Sequence, residues 1–344
     1  MDTAGPVSVS VIIPTHCRPD LLRRAIRSAL EQTHRDLEVI VIENGRSHDS
    51  RAIVEAFARA NAPVRYLYRS EPDPHAARNA GILAARGRFC AFLDDDDEWL
   101  PEKLQRQLAC FERDPRLGLV TCGAWRVNER GEEKMVESRS YHGVPSLKAL
   151  VTEWCFIWSL SGVVIRRECF DRTGLFSLRY FVAGDYDLYL RIARDYPIAM
   201  VDEPLFRYRQ HEGNLSGNWH RTWRETSAIL RRLRPAPSLG VSRGDIRDAL
   251  RRYARWYYGQ AMHAREAGRP LEAVRYFAYA LRHDPAIGRR LGWSRFANPM
   301  YQIARPYAAI GLCAIQAVVQ RVSERRVPIG VPSDDTVPQS ARDT

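Results

Sequence analysis

The sequence predicts an α/β fold with a mainly parallel sheet, followed by a C-terminal α-helical region. Three observations carry this expectation. Continuous apolar runs alternate with runs of helical periodicity over residues 7–94, polar residues gather where the apolar runs end, and beyond residue 216 the strand pattern yields to basic helix. A length of 344 residues suits one large domain with an appendage, or two domains. With 45% hydrophobic and 27% charged residues, the composition excludes a disordered or fibrous protein.

VSVSVIIPT (7–15) is β-branched and apolar and reads as the first strand, while PDLLRRAIRSALEQT (19–33) spaces its apolar residues as a helix does. LEVIVIEN (37–44) is a second strand and SRAIVEAFARA (50–60) a second helix. VRYLYRS (64–70), HAARNAGILAARG (75–87) and RFCAFLD (88–94) continue as strand, glycine-terminated helix and strand. Strands that are apolar along their whole length are covered on both faces, as in a parallel sheet clothed by helices. Ligands of such sheets gather at the carboxyl ends of the strands. PTHCR, ENGRSHD and DDDDEW stand at three of those ends and would converge on one crevice.

From residue 115 the pattern is mixed. LGLVTCGAWRVN and SGVVIRR read as strands, AGDYDLYLRIARDY (183–196) as a helix beginning near Asp185, and IAMVDEPLFRYRQH (198–211) as a further strand. RPAPSLGVSRGD (234–245) reads as a linker within the basic helical region. YGQAMHAREAGRPLEAVRYFAYALRHDP (258–285) resembles one tetratricopeptide helix pair, either a partner-binding module or a plain helical hairpin. The expected organisation is an α/β domain over 1–216, a basic helical extension over 217–325 and a disordered Pro- and Ser-rich tail over 326–344.

The seven cysteines are scattered, without a CxxC pair or metal-ligand spacing, as in a reduced cytosolic protein. MDTAGPVSVSVIIP lacks the basic start of a secretory signal, and the nearest approach to a membrane span, YAAIGLCAIQAVV (307–319), is too short to cross. The net charge of +11 has one source. Residues 219–300 hold 17 Arg, no Lys and 6 Asp or Glu, so the rest of the chain is neutral. That segment is either a solvated basic face or a surface for an anionic partner such as phospholipid or a lipid-linked pyrophosphate. Nucleic acid is not expected as a partner. No reading motif accompanies the arginines, and Trp256, Tyr257, Tyr258, Tyr276 and Phe277 fall at helical core spacing.

FLDDDDEW (92–99) sets four like charges beside a buried strand. Neighbouring carboxylates repel and raise one another's pKa. The cluster is therefore either a solvated acidic loop or a site where a metal ion or helix-terminal amides supply the compensating charge.

In order along the chain, VIIPTHCR, VIENGRSHD, ARNAGILAARGRFCAFLDDDDEW, GDYDLYLRIA and YRQHEGNLS resemble the motifs of the family-2 glycosyltransferases over residues 7–216. The resemblance implies the GT-A nucleotide-sugar-binding fold. It also implies inverting, metal-dependent transfer of one sugar from a nucleotide diphosphate sugar to an acceptor hydroxyl. By that resemblance Asp94-x-Asp96 corresponds to the family's DxD element, with Asp94 and Asp95 toward the donor and Asp96 as ligand to Mn²⁺ or Mg²⁺. Asp95 and Asp97 leave open a register shifted by one. Thr15, Arg18, Glu43 and Arg78 match positions around the base, ribose and phosphates, and His211 matches one that completes the metal or diphosphate site. Asp185 matches the family's catalytic aspartate, a general base for the acceptor hydroxyl, although an Asp there can equally cap a helix.

Two departures from the family pattern stand out. The second strand ends in Glu43-Asn44-Gly45-Arg46 where the family often has Asp-Asp-Gly-Ser, and Gly184 precedes Asp185 where the family usually has an acid. The Gln-x-x-Arg-Trp element of processive synthases is absent. The implied acceptor is a lipid-linked sugar or a surface polysaccharide, handled at the cytoplasmic membrane face where basic helices meet anionic lipid. An inactive GT-A scaffold using its helices for partners is the alternative, and the joint presence of Asp96 and Asp185 argues against it. A nucleotidylyltransferase would need a Gly-rich, Lys-containing loop after the first strand, and PTHCRPD offers neither.

Overall fold

The computed structural model describes residues 7–45, 49–128, 130–136, 145–153, 155–211 and 219–287. The stretch 307–319, the tail from residue 326 and parts of ENGRSHD and YRQHEGNLS lie outside them. By compactness the chain divides into residues 1–249 and 250–344.

Among the described residues, the first unit is built on a nine-stranded sheet. β1 (Val9–Thr15), β2 (Leu37–Asn44), β3 (Val64–Arg69) and β4 (Phe89–Phe92) pair in parallel in the order β3-β2-β1-β4. Helices α1 (Pro19–Leu30), α2 (Asp49–Arg59) and α3 (Pro74–Ala84) make the crossovers. Every residue of β1 and β2 is buried, as their continuous apolar sequence requires. α3 begins where the Asp73 carboxylate accepts from the His75 and Ala76 amides, with Pro74 in its first turn. It lies close on the sheet because Gly81 has no side chain: a Cβ there would sit 2.5 Å from Ile12 Cγ2.

Beyond β4 the sheet is mixed. β6 (Leu119–Val127) and β9 (Ile198–Arg209) pair in parallel. β8 (Val164–Arg166) runs antiparallel to both β4 and β6, β5 (Glu98–Trp99) antiparallel to β9, and β7 (Glu133–Val136) antiparallel to β6. The expected mainly parallel sheet is thus wholly parallel in one half and mixed in the other. Regular strand–helix alternation enforces parallel crossovers, and that alternation stops at β4. α4 (Lys103–Arg113), α5 (Leu147–Thr152), α6 (Cys169–Thr173) and α7 (Gly184–Asp195) occupy the intervals. α8 (Trp219–Arg232), which the sequence assigns to the extension, packs on α7 within this first unit.

In the second unit, the end of α9 (Arg243–Glu266) and α10 (Pro270–His283) form a hairpin. Ala261, Ala264, Ala273 and Phe277 are buried between them, the small residues allowing close approach of the axes. Gly268, at a φ of 68°, supplies the left-handed residue of the turn.

Candidate active site

β1 lies between β2 and β4, where the direction of chain progression across the sheet reverses, and such a point leaves a crevice at the carboxyl ends of the strands. A cavity of about 470 Å³ opens there, within the roughly 300–1,000 Å³ usual for small-ligand sites. Thr15, Arg18, Arg78, Asp94, Asp95 and Asp96 line it together with Asp185, so the structure brings together seven of the nine site residues read from the sequence.

The four aspartates form a wired turn. The Asp94 amide donates to Ser161 Oγ at 3.0 Å, and the Ser161 carbonyl accepts from Trp99 Nε1 at 2.8 Å. The Asp97 amide closes onto the Asp94 carbonyl at 3.1 Å. From this turn the carboxylates diverge. Asp94 accepts from Arg78 Nη2 at 2.6 Å, and Asp95 accepts from Thr15 Oγ1 at 2.7 Å and Arg18 Nη1 at 3.3 Å. Asp96 Oδ2 takes Arg18 Nη1 at 2.7 Å and lies 2.9 Å from His211 Nε2. Asp97 is buried and accepts the Arg209 amide at 3.0 Å.

Two of the four carboxyls, Asp95 and Asp97, are buried, which excludes a solvated acidic loop. Arg18 and Arg78 supply the opposing charge. It is incomplete. Burial pushes Asp95 up to about 6, with Asp96 adding to the effect and Thr15 and Arg18 opposing it. Burial, then the repulsion of Asp96 and Asp94, holds Asp97 well above the usual carboxylate range.

Among the described residues, no group of three or more His, Cys, Asp or Glu side chains is arranged to hold a metal by itself. Asp96 and His211 converge as one oxygen and one imidazole donor. That pair fits a divalent ion which takes its other ligands from phosphate and water.

Asp185 sits in the first turn of α7, half-buried, and Oδ1 accepts the amide of Tyr186 at 2.7 Å. Burial raises its pKa to about 6, against the Tyr186 amide and the Arg78 charge and with a small contribution from Asp94. A cavity carboxyl poised near neutrality suits proton abstraction. Asp187, two residues on, instead pairs with Arg191 at 2.9 Å and is a structural link.

The start of α7 is fixed from α8. Glu225 Oε2 accepts the Val182 amide at 2.8 Å and the Ala183 amide at 3.0 Å, and its other oxygen takes Arg221 Nε at 2.9 Å. Sequence reasoning missed Glu225, because nothing distinguishes it from the other acids of the arginine-rich segment. It also missed the aromatic wall of the cavity. There Trp158, 38% exposed, meets Tyr208 edge-on at 6.3 Å. WSLSG beside the Ser161 turn was the signal available.

Glu43 is not among the cavity residues. It is fully buried at the end of β2, where its oxygens accept the Ser50 amide at 3.2 Å and the Tyr66 hydroxyl at 2.6 Å. One residue on, Asn44 lines the cavity, and its Oδ1 has no partner among the described residues. Side chains alternate across a strand, so a shift of one residue exchanges the two faces. Nearby, Arg209 places Nη2 on Glu98 at 2.8 Å.

Residues 10–174 match the family model "Glycosyl transferase family 2". The chain is 28% identical over 225 residues to an uncharacterised glycosyltransferase, EpsJ, of Bacillus subtilis, covering 60% of this chain and 62% of that one. Among solved structures it is similar to S. aureus TarS 1–349 in complex with UDP, with a TM-score of 0.59 and 15% identity over 92% of this chain and 91% of the other. It is also similar to the mannosyltransferase PcManGT from Pyrobaculum calidifontis in complex with GDP-Man and Mn²⁺, with a TM-score of 0.55 and 16% identity over 93% and 87%. At such identities the structural likeness establishes the fold, which is GT-A. Residues 10–174 of the α/β unit thus match the family-2 glycosyltransferase model, on a GT-A fold.

Proposed function

We propose that the chain is an inverting, non-processive glycosyltransferase that moves one sugar from a nucleotide diphosphate sugar to an acceptor hydroxyl. The observation that carries the reading is one shared cavity. Asp185 and the Asp94–Asp96 cluster both line it, and Arg78, bonded to Asp94, also acts on the charge of Asp185. A proton acceptor therefore stands within the same 470 Å³ as the groups suited to a diphosphate.

In this reading Asp185 takes the proton of the acceptor hydroxyl as that oxygen attacks the anomeric carbon. Attack opposite the departing diphosphate inverts the centre. Asp96 and His211 would hold Mn²⁺ or Mg²⁺, which when bound neutralises charge on the leaving diphosphate. The neighbour in complex with GDP-Man and Mn²⁺ supports a divalent ion with a nucleotide sugar. Arg18 and Arg78 already hold the aspartates and line the cavity as its cationic groups. Asn44 takes the nucleoside-reading place first assigned to Glu43. The acceptor is a lipid-linked sugar or a surface polysaccharide. The arginine-rich helices dock the protein on anionic lipid at the membrane face. Among the described residues no helix is long and apolar enough to cross a membrane.

The test is release of nucleoside diphosphate from UDP-, GDP- and dTDP-sugars with Mn²⁺, Mg²⁺ or EDTA, with Asp96→Asn and Asp185→Asn beside wild type. Metal-dependent release from one donor, lost in both variants, is the expected result. Absence of both release and nucleotide binding would return the chain to the scaffold reading.

A further inference from the structure

Gly184 stands immediately before Asp185, and His75 occupies the space a side chain there would fill. A Cβ at Gly184 would lie 2.5 Å from His75 Nε2, inside any real contact distance. His75 is 3% exposed, stacks on Phe176 with ring centroids 5.4 Å apart, and lines the same cavity as Asp185. Its Nδ1 faces Arg78 Nη1 at 3.4 Å. A guanidinium only donates, so Nδ1 is the accepting nitrogen and Nε2 carries the ring proton. Burial, reinforced by the Arg78 charge, lowers the ring to about 3, which keeps the imidazole neutral near pH 7. The Phe181 carbonyl lies near the ring, yet Nε2 meets no acceptor in hydrogen-bonding geometry among the described residues. A buried N–H without a well-aligned acceptor, in a residue that lines a cavity, calls for an explanation.

We propose that His75 Nε2–H is a positioning donor that binds a sugar oxygen beside Asp185, with Gly184 keeping the space open for it. The inference rests on the transferase reading above and deepens it. A side-chain acid at position 184 would accept a hydrogen bond from a sugar hydroxyl. A neutral imidazole N–H donates to a hydroxyl or carbonyl oxygen instead. The chain therefore reads the opposite half of the hydrogen bond at this place. The oxygen belongs either to the transferred sugar or to the acceptor, and the experiment separates the two.

Three variants of the whole chain test it. His75→Phe keeps the stack on Phe176 and removes both ring nitrogens. His75→Gln returns an amide N–H near the Nε2 position. Gly184→Ala adds only the carbon that collides with His75, in a helix that alanine otherwise favours. Each is titrated calorimetrically, with Mn²⁺, against UDP, GDP and dTDP and their sugars. Nucleoside diphosphate release is followed in water alone and with simple methyl glycosides as acceptor probes.

In His75→Phe and Gly184→Ala, bare nucleoside diphosphate is expected to bind within about twofold of wild type. If the transferred sugar is the ligand, the nucleotide sugar binds at least about tenfold more weakly. If the acceptor is, donor binding and hydrolysis stay at wild-type values while glycoside-stimulated release falls at least about tenfold. His75→Gln recovers most of the loss in either case. Equal weakening of bare nucleoside diphosphate, or wild-type behaviour in every arm, overturns the inference. A wild type that binds no nucleotide sugar fails differently: it removes the transferase reading first and this inference with it.

Discussion

The Asp96 carboxylate and the His211 imidazole meet at 2.9 Å although 115 residues separate them, and Arg18 reaches the same Asp96 oxygen at 2.7 Å. β9 brings them together, since it ends at Arg209 against β5 and β6 and delivers His211 to the aspartate turn. A divalent ion at this pair would compete with Arg18 for Asp96. His211→Ala is therefore expected to weaken Mn²⁺-dependent nucleoside diphosphate binding by at least about 10- to 100-fold, the range already seen when an outer-shell partner of a metal ligand is lost. Metal-free binding should change little. Calorimetric titration with Mn²⁺ and with EDTA decides this, and equal losses in both would show that His211 acts without a metal.

Asp185 must be ionised to accept a proton, and its pKa of about 6 sets the pH at which that happens. Activity is expected to rise with pH through about 6 and to level above it. Asp185→Asn should lower kcat by about 10²- to 10⁴-fold and remove that limb of the profile. Stability moves the other way. A carboxyl whose folded pKa lies above its unfolded value binds more protons when folded, so its ionisation costs stability as pH rises from about 4 through about 6. The asparagine variant should therefore gain in Tm relative to wild type at pH 7.5 compared with pH 5, which thermal melts at the two pH values would reveal.

Glu225 holds the two amides that precede α7. Glu225→Ala leaves both without their acceptor, at about 1–3 kcal/mol for each unpaired buried group. A fall of about 2–4 kcal/mol in urea unfolding is expected, with kcat reduced because the first turn bearing Asp185 loosens. Glu225→Gln keeps a carbonyl for the amides and should recover most of both. Unchanged stability in the alanine variant would mean that these amides find water instead.

The end of β2 offers a direct contrast. Tyr66→Phe removes a part-buried hydrogen bond to the Glu43 carboxylate, worth about 1.5–3 kcal/mol, and should leave nucleotide affinity untouched. Asn44→Ala should weaken nucleoside diphosphate binding several-fold with little effect on unfolding. Calorimetry paired with urea titration separates the two, and the reverse outcome would restore Glu43 to the nucleoside pocket.

Binding to a membrane surface through arginines depends on salt, since exposed charges are screened beyond about 8 Å at physiological ionic strength. The protein should float with vesicles of anionic lipid at low salt, and less so as salt rises. Neutral vesicles should not carry it. Flotation independent of lipid charge would rule out docking through the basic helices.

The sequence by itself determined the alternation that makes the parallel half of the sheet and the carboxyl-end placement of Thr15, Arg18 and the aspartates. These follow from periodicity and strand ends, which are local properties. It also marked Asp185, through the resemblance of GDYDLYLRIA to a family motif at a helix start. The tertiary structure decided what depends on facing and on long-range contact. A single-residue shift turns Asn44 rather than Glu43 to the cavity, since opposite faces of a strand alternate. The mixed order of β8, β6, β9 and β5 has no periodic signature, yet it brings His211 to Asp96. Glu225 looks like any acid among arginines until α8 lays it under the start of α7. Gly184 reads as a gap in a motif until His75, far away in the chain, is found filling it. Side-chain contacts between distant segments are set by the packing of whole elements, and no window of sequence contains that information.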